Sequence, residues 1–258
     1  MNNSIPASWK FKYALRKIYN PKEVDFRVFG VGAAKTGTHS LGQMFDDRIS
    51  SAHELDIEQL IYLHLERVSS SSSRKLHRYL LVRDKIQNLK IDASHINIYL
   101  VKDLELLFPG SKFILTLRHP EDWLRSFIND SLSREASPAF KIFREYRFGD
   151  TKHPREEEVL RANNLFTVKG YLNYWKEGIE RVVSEVPASR LMILKTTELS
   201  SRSNEIAKFC SIGGFGVTPE KSKAYVNPNS FDVLDKLPEG YLDAIITTQC
   251  KELLNRYW

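Results

Sequence analysis

The feature that most constrains this chain is a buried strand that passes, through a glycine-containing loop, into the start of a helix. Residues 26–31 are mainly β-branched, aromatic and small, which is typical of a buried strand. The loop that follows consists of small residues apart from Lys35, and a helical pattern begins near Gly37. Free N–H groups and the helix dipole favour an anion at a helix N-terminus. The stretch therefore predicts a phosphate-binding loop at the end of a strand.

This loop differs from the P-loop of enzymes that hydrolyse nucleoside triphosphates. That motif, GxxxxGK[ST], has a lysine directly after its second glycine. Gly32 and Gly37 have the required spacing, but Thr38 stands at the lysine position, and Lys35 lies two residues before Gly37. A simple glycine turn between a strand and a helix is the structural alternative.

A second phosphate-type pattern follows the clearest buried strand, residues 112–117. Arg118 ends this strand, and Ser126 lies about two turns into the next helix. A guanidinium group binds phosphate through two hydrogen bonds, and a hydroxyl group adds another donor. A salt bridge between Arg118 and a carboxylate is the alternative.

Two further strand ends carry groups that could act on a substrate. Residues 49–55 predict a second strand with His53 and Glu54 at its end, and residues 89–94 predict a third strand followed by His95. Ligands of a parallel sheet gather at the carboxyl ends of its strands. His53 and Glu54 are therefore candidates for general-base chemistry, although they could merely cap the following helix.

Composition narrows the classes of protein. The 258 residues carry a net charge of +6, which suits an anionic ligand, but basic and acidic residues alternate along most of the chain, so nucleic acid is not indicated. No apolar run reaches the ~20 residues of a membrane span. Two cysteines without ligand spacing indicate reduced thiols in the cytoplasm. We expect one domain over residues 26–258, with residues 1–25 packed on it and a helical excursion near residues 129–164.

The segment Lys35-Thr36-Gly37-Thr38 resembles the 5′-phosphosulfate loop of the sulfotransferases that use 3′-phosphoadenosine 5′-phosphosulfate (PAPS). Arg118 and Ser126 resemble the pair that holds the 3′-phosphate in that family. The resemblance covers residues 26–210. It implies a three-layer α/β/α, P-loop-like sulfotransferase fold with a central parallel sheet, a class that the alternating strand and helix patterns also favour. It also implies transfer of a sulfuryl group to a hydroxyl or amine of a small-molecule or carbohydrate acceptor, with release of 3′-phosphoadenosine 5′-phosphate (PAP) and no metal.

The resemblance also implies roles for individual residues. Lys35 would neutralise charge on the leaving phosphate, Glu54 would be the first choice of base, with His53 next and His95 third, and Asp92, Ser94 and His95 would contact the acceptor. Residues 129–164 would help to shape the acceptor site. The implied nucleotide contacts are Ala34, Lys35, Thr36, Gly37, Thr38, His39, Ser40, Arg118, Ser126 and Lys223. His39 departs from the family, which often has a threonine there.

Two other classes of function remain open on the sequence alone. A nucleotide kinase or other enzyme that hydrolyses ATP or GTP expects a lysine after Gly37 and a carboxylate that binds magnesium. A catalytically silent nucleotide-binding protein expects loss of the reactive residues, whereas Lys35, Arg118 and Ser126 are present. The sequence predicts neither the identity of the acceptor nor an oligomeric state.

Overall fold

A computed structural model of the chain describes residues 27–45, 49–149, 152–212 and 230–258. Its centre is a sheet of five parallel strands in the order β2-β3-β1-β4-β5. The strands are β1 (Val28–Gly30), β2 (Ser51–His53), β3 (Ile91–Ala93), β4 (Lys112–Leu117) and β5 (Leu191–Lys195). The predicted α/β class with a central parallel sheet is confirmed.

Helices connect the strands and cover the sheet. In the described part of the chain they are α1 (Thr38–Gln43), α2 (Ile57–Ser70), α3 (Arg74–Gln87), α4 (Asn97–Leu107), α5 (Pro120–Ser133), α6 (Pro138–Phe148), α7 (Glu158–Ala162), α8 (Val168–Glu185), α9 (Ser203–Phe209) and α10 (Tyr241–Tyr257).

The two faces of the sheet pack against different sets of helices because side chains alternate along each strand. Phe113 and Leu115 of β4 belong to the large apolar cluster that includes residues of α4, α5 and α8. Ile114 of the same strand belongs to a smaller cluster with Leu41 of α1 and Ile206 of α9. The sheet is therefore the middle layer of three, with its core divided between the two faces.

One local expectation needs correction, because the second strand is shorter than the predicted residues 49–55 and spans only Ser51–His53. The serine run at residues 69–73 begins inside a helix, since α2 continues to Ser70. The hydroxyls of Ser69 and Ser70 donate to the carbonyl of Glu66, at 3.0 and 2.7 Å, so these serines hydrogen-bond within the helix.

The excursion at residues 129–164 contributes to the interior as well as to the surface. Helix α6 lies within it and buries Ala139, Phe143 and Phe148 in the larger core. Among the described residues, no helix is long and apolar enough to cross a membrane. The expectations for residues 1–25 and for Lys223 lie outside the described residues.

Candidate active site

The loop between β1 and α1 is built around two glycines that cannot be replaced without strain. A Cβ atom on Gly32 would lie 1.9 Å from Oγ1 of Thr116 and 2.4 Å from Oγ1 of Thr36. Gly37, at the N-cap of α1, has φ of 105°, a conformation that L side chains rarely adopt. The loop backbone therefore passes so close to the end of β4 that no side chain fits at Gly32.

Side chains from several other parts of the chain hold this loop. Oγ1 of Thr36 donates to the Ala33 carbonyl at 2.7 Å and lies 2.9 Å from Oγ1 of Thr116. The indole N–H of Trp123 donates to the Ala34 carbonyl at 2.8 Å, and the Ala34 N–H donates to the Tyr174 hydroxyl at 3.4 Å. Sequence reasoning missed Trp123 and Tyr174, two core residues whose polar ends hold the loop.

The backbone at the start of α1 forms the hydrogen bonds of a helix N-terminus. The Leu41 N–H donates to the Gly37 carbonyl at 2.9 Å, which begins the helical pattern. In the loop before the helix, the Thr36 N–H donates to the Ala33 carbonyl at 3.2 Å. Ser40, which is half-buried, accepts from the Met44 N–H at 3.0 Å.

Lys35 has a positive φ of 69°, and its ammonium group forms an ion pair with Asp130 of α5. Nζ lies 3.1 Å from Oδ1 of Asp130, and Oδ2 of the same carboxylate accepts from Arg134 at 2.7 Å. The lysine side chain is only 17% exposed. Sequence reasoning missed Asp130, although it lies four residues after Ser126 and four before Arg134, on the same face of the helix.

Arg118 reaches the same loop from the end of β4. Its Nη1 lies 3.5 Å from the Lys35 carbonyl oxygen, and its own carbonyl accepts from the indole N–H of Trp175 at 3.1 Å. Burial lowers the pKa of Arg118, and nearby Asp122 partly offsets this effect. In the part of the chain that the structure describes, Arg118 forms no salt bridge. Ser126 is half-buried on α5, one turn after Trp123, which holds the loop.

The ionisable residues after β2 and β3 meet in one group. Oε1 of Glu54 lies 2.7 Å from Nδ1 of His95 and 3.5 Å from Nε2 of His53. Nε2 of His53 lies 3.3 Å from Oγ1 of Thr38, and the His53 ring contacts the His39 ring at a centroid distance of 4.9 Å. The group thus adjoins the phosphate-type loop through Thr38 and His39.

The surroundings of this group shift two pKa values downward. Burial is the main cause that lowers the pKa of His53 to about 4; Glu54 opposes the shift, and His39 and His95 add to it. Burial alone would raise the pKa of Glu54, but the charge and hydrogen bond of His95, then His53 and Arg134, lower it to about 2. At neutral pH the group therefore contains an ionised carboxylate beside an uncharged His53.

The residues predicted to contact an acceptor lie in different surroundings. The Asp92 carboxylate binds the buried guanidinium of Arg83, with Nη1 to Oδ2 at 2.5 Å and Nη2 to Oδ1 at 3.3 Å. Asp92 is thus engaged inside the protein and is not free to contact an acceptor. Ser94 and His95 are both buried, and the His95 ring packs near Phe140 and Phe143. Glu54 is the most exposed of the three ionisable residues, with 27% of its side chain exposed against 17% for His53 and 2% for His95.

The described residues contain no cluster of three or more His, Cys, Asp or Glu side chains arranged to hold a metal ion.

Comparison with known protein families matches residues 27–201 to the sulfotransferase domain. The matched region is more than half of the 258-residue chain and contains the loop, Glu54, His95 and Arg118. A search of curated proteins found no match to the chain.

Proposed function

The chain belongs to the sulfotransferase family, and we propose that it transfers a sulfuryl group from PAPS to a hydroxyl or amine of a small-molecule or carbohydrate acceptor. The observation that carries the proposal is the contact between Arg118 and the loop that bears Lys35, with Nη1 of Arg118 3.5 Å from the Lys35 carbonyl oxygen. One nucleotide with phosphates at its 3′ and 5′ positions could therefore be held by both motifs.

The residues of the two motifs supply hydrogen-bond donors and positive charge for both phosphate groups of such a nucleotide. Under this proposal the backbone from Ala34 to Ser40 and the hydroxyl of Thr38 hold the 5′-phosphate, and His39 adjoins it. The guanidinium of Arg118, which has no carboxylate partner among the described residues, and the Ser126 hydroxyl hold the 3′-phosphate. We keep Lys223 as a predicted contact from the C-terminal part of the chain.

PAPS supplies a sulfuryl group that is already electrophilic, so the protein's work is to position the reactants and to stabilise charge. The acceptor oxygen or nitrogen forms a bond to sulfur, the bond from sulfur to the phosphate oxygen breaks, and the acceptor proton passes to the protein. Under this proposal Lys35 neutralises the charge that develops on the phosphate, and its ion pair with Asp130 keeps the ammonium group in position.

We propose that Glu54 receives the acceptor proton. It is the more exposed member of its hydrogen-bonded pair, with 27% of its side chain exposed against 2% for His95. A carboxylate with a low pKa accepts a hydrogen bond from the acceptor and takes the proton late, as the new bond forms. His95 positions Glu54 through Nδ1, and His53 is the second candidate base because it is uncharged at neutral pH.

The proposal is tested by binding and by turnover of the full chain. Calorimetry should detect PAP binding without magnesium. Lys35→Ala should abolish transfer of labelled sulfate from PAPS to a panel of phenols, amines and sugars, and it should also weaken PAP binding, because the 5′-phosphate of PAP carries the charge that Lys35 neutralises. Mass spectrometry would identify the sulfated product. Binding of ATP with magnesium in place of PAP would favour a nucleotide kinase instead, and PAP binding without transfer to any acceptor would favour a silent binding protein.

A further inference from the structure

A cavity of about 160 Å³ lies between helices α4, α6 and α8, one side chain away from the phosphate-type loop. Aromatic and charged side chains line it: Tyr99, Tyr146, Arg147, Tyr174, Glu177 and Arg181. A single water needs only about 10–15 Å³ of such space, so the cavity can hold a small chemical group. The proposed reaction gives this cavity no role.

The unusual member of this lining is Arg147, which is only 9% exposed. Its guanidinium carbon lies 4.4 Å from the ring centroid of Phe143, 4.9 Å from that of Phe148 and 5.2 Å from that of Tyr174. Nε and Nη1 of Arg147 are buried and have no hydrogen-bond partner among the described residues. No carboxylate of the described chain forms a salt bridge with it.

Such an environment leaves a permanent positive charge incompletely compensated. An arginine stays protonated in proteins, and removing an unpaired ion from water costs several kcal/mol. Contacts with aromatic rings return about 0.5–2 kcal/mol each, but they leave the Nε and Nη1 donors of Arg147 without a partner among the described residues. Buried donors in native proteins nearly always have a partner. The surroundings of Arg147 therefore favour an anion that comes from outside the chain.

The remaining charges of the cavity support the same conclusion. Arg181 is a second cation in the lining, and its guanidinium carbon lies 5.1 Å from the ring centroid of Tyr99. Glu177 is the only acidic residue among the lining residues. Two guanidinium groups and one carboxylate give the cavity a net positive charge, and the tyrosine rings around it suit a flat group next to the anion.

We propose that this cavity binds a small anionic substituent of the acceptor, a carboxylate or a sulfate, and so selects acidic acceptors. The inference rests on the proposed sulfotransferase activity. Tyr174 connects the cavity with the loop, because its hydroxyl accepts from the Ala34 N–H at 3.4 Å. Phe143 contacts both Arg147 and the His95 ring, whose centroid lies 6.2 Å away. An acceptor anchored at Arg147 would thus lie close to the Glu54–His95 pair.

The first test measures binding of benzoate, an aromatic carboxylate, against benzamide, its neutral counterpart. Both are titrated into the full chain labelled with ¹⁵N-arginine, and the Nε–H resonance of Arg147 is identified by its absence in Arg147→Gln. We expect a saturable shift of this resonance with benzoate and none with benzamide. Arg147→Gln should weaken benzoate binding at least tenfold, whereas Arg256→Gln should not change it. Arg256 is the matched control because it contacts an aromatic ring, that of Tyr257, at an exposed position.

A second variant keeps the test decisive if Arg147→Gln does not fold. Arg181→Gln removes the half-buried cation of the same cavity and should weaken benzoate binding several-fold. An unshifted Arg147 resonance at saturating benzoate, or unchanged benzoate binding in the folded variants, overturns the inference. Turnover separates it from the parent proposal: Arg147→Gln should lower kcat/KM for acidic acceptors alone and leave PAP binding intact. If the wild-type chain does not bind PAP, the proposed function is refuted instead. The benzoate titration would still decide whether the cavity binds an anion.

Discussion

The guanidinium of Arg118 lies 3.5 Å from the backbone carbonyl oxygen of Lys35, although the two residues are 83 positions apart in the chain. The contact follows from the strand order, because β1 and β4 are neighbours in the sheet and both end at the same edge. The two phosphate-type motifs of the sequence therefore form one continuous surface. Under the proposed function, a ligand with two phosphates would contact both motifs.

We predict that Arg118→Gln weakens PAP binding by about 10- to 100-fold. Hydrogen bonds to charged groups contribute about 1.5–3 kcal/mol, and each 1.4 kcal/mol is about tenfold in affinity. Calorimetry with adenosine 5′-phosphate, which lacks the 3′-phosphate, should show no comparable loss. Arg125→Gln is the matched control, since Arg125 is bound to Glu121 and Asp235 at the surface. Equal weakening of both nucleotides by Arg118→Gln would contradict the assignment to the 3′-phosphate.

We predict that Asp130→Asn lowers kcat about tenfold and leaves PAP affinity the same or higher. The change removes the ion pair that holds Nζ of Lys35, 3.1 Å from Oδ1, so the ammonium group spends less time near the leaving phosphate. It also removes a negative charge that repels the nucleotide. Single-turnover transfer and calorimetry measure the two effects separately. Asp243→Asn, at an exposed position of α10, is the control, and a wild-type kcat in Asp130→Asn would show that Lys35 needs no such support.

We predict that Glu54→Gln lowers kcat by about 100-fold or more, within the range that a general base contributes. His95→Asn should cost less, because His95 only positions the carboxylate through its 2.7 Å hydrogen bond. In the double variant the two losses should not add, since both act through one pair. Glu58→Gln, at an exposed position in the first turn of α2, is the control. If the losses in kcat are additive, or if His95→Asn lowers kcat more than Glu54→Gln does, His95 acts as an independent base and the prediction is wrong.

The phosphate-type motifs can be proposed from the sequence alone because each depends on local chemistry. A glycine at a tight turn, a lysine in a short loop and an arginine at a strand end can all be recognised within about ten residues. The parallel sheet could be predicted for the same reason, since alternating strand and helix patterns leave few arrangements. The contact between Arg118 and Lys35 needed only the further fact that their strands are neighbours.

The parts that sequence reasoning missed depend on contacts between distant segments. Asp130 gives no local signal for its partner Lys35, 95 positions away, and its chemistry appears only when α5 packs beside the loop. Asp92 shows the opposite error, because a carboxylate at a strand end suggests a substrate contact, yet Arg83 of α3 binds it in the interior. Arg147 belongs to a segment rich in charge, and its burial among aromatic rings follows from the packing of α6 against α8.

We predict that the pKa of His53 is well below 6.5 in the folded protein, near 4, because burial disfavours its charged form. The unfolded chain binds this proton at higher pH than the folded chain does, so the stability from His53 falls as pH drops from 6.5 towards 4. Histidine NMR measures the pKa, and urea unfolding at pH 7 and pH 5 measures the linkage. His53→Gln should reduce the stability difference between these pH values by about 1–2 kcal/mol. A folded-state pKa at or above 6.5 would contradict this prediction, and PAP should raise the pKa by placing a phosphate near Thr38.

We predict that Thr196→Val destabilises the protein by about 1–3 kcal/mol, the cost of leaving buried polar groups without a partner. Oγ1 of Thr196 lies 2.5 Å from the Thr36 carbonyl oxygen and 2.9 Å from that of Leu117, so one hydroxyl links the loop to the end of β4. PAP affinity should fall as well, because the loop loses this restraint. Thr248→Val is the matched control: its hydroxyl donates to the Ala244 carbonyl at 2.7 Å on an exposed helix face, and its loss should cost about 0.5 kcal/mol or less. Urea unfolding and PAP calorimetry of both variants decide the point, and equal behaviour of the two would show that Thr196 gives the loop no special support.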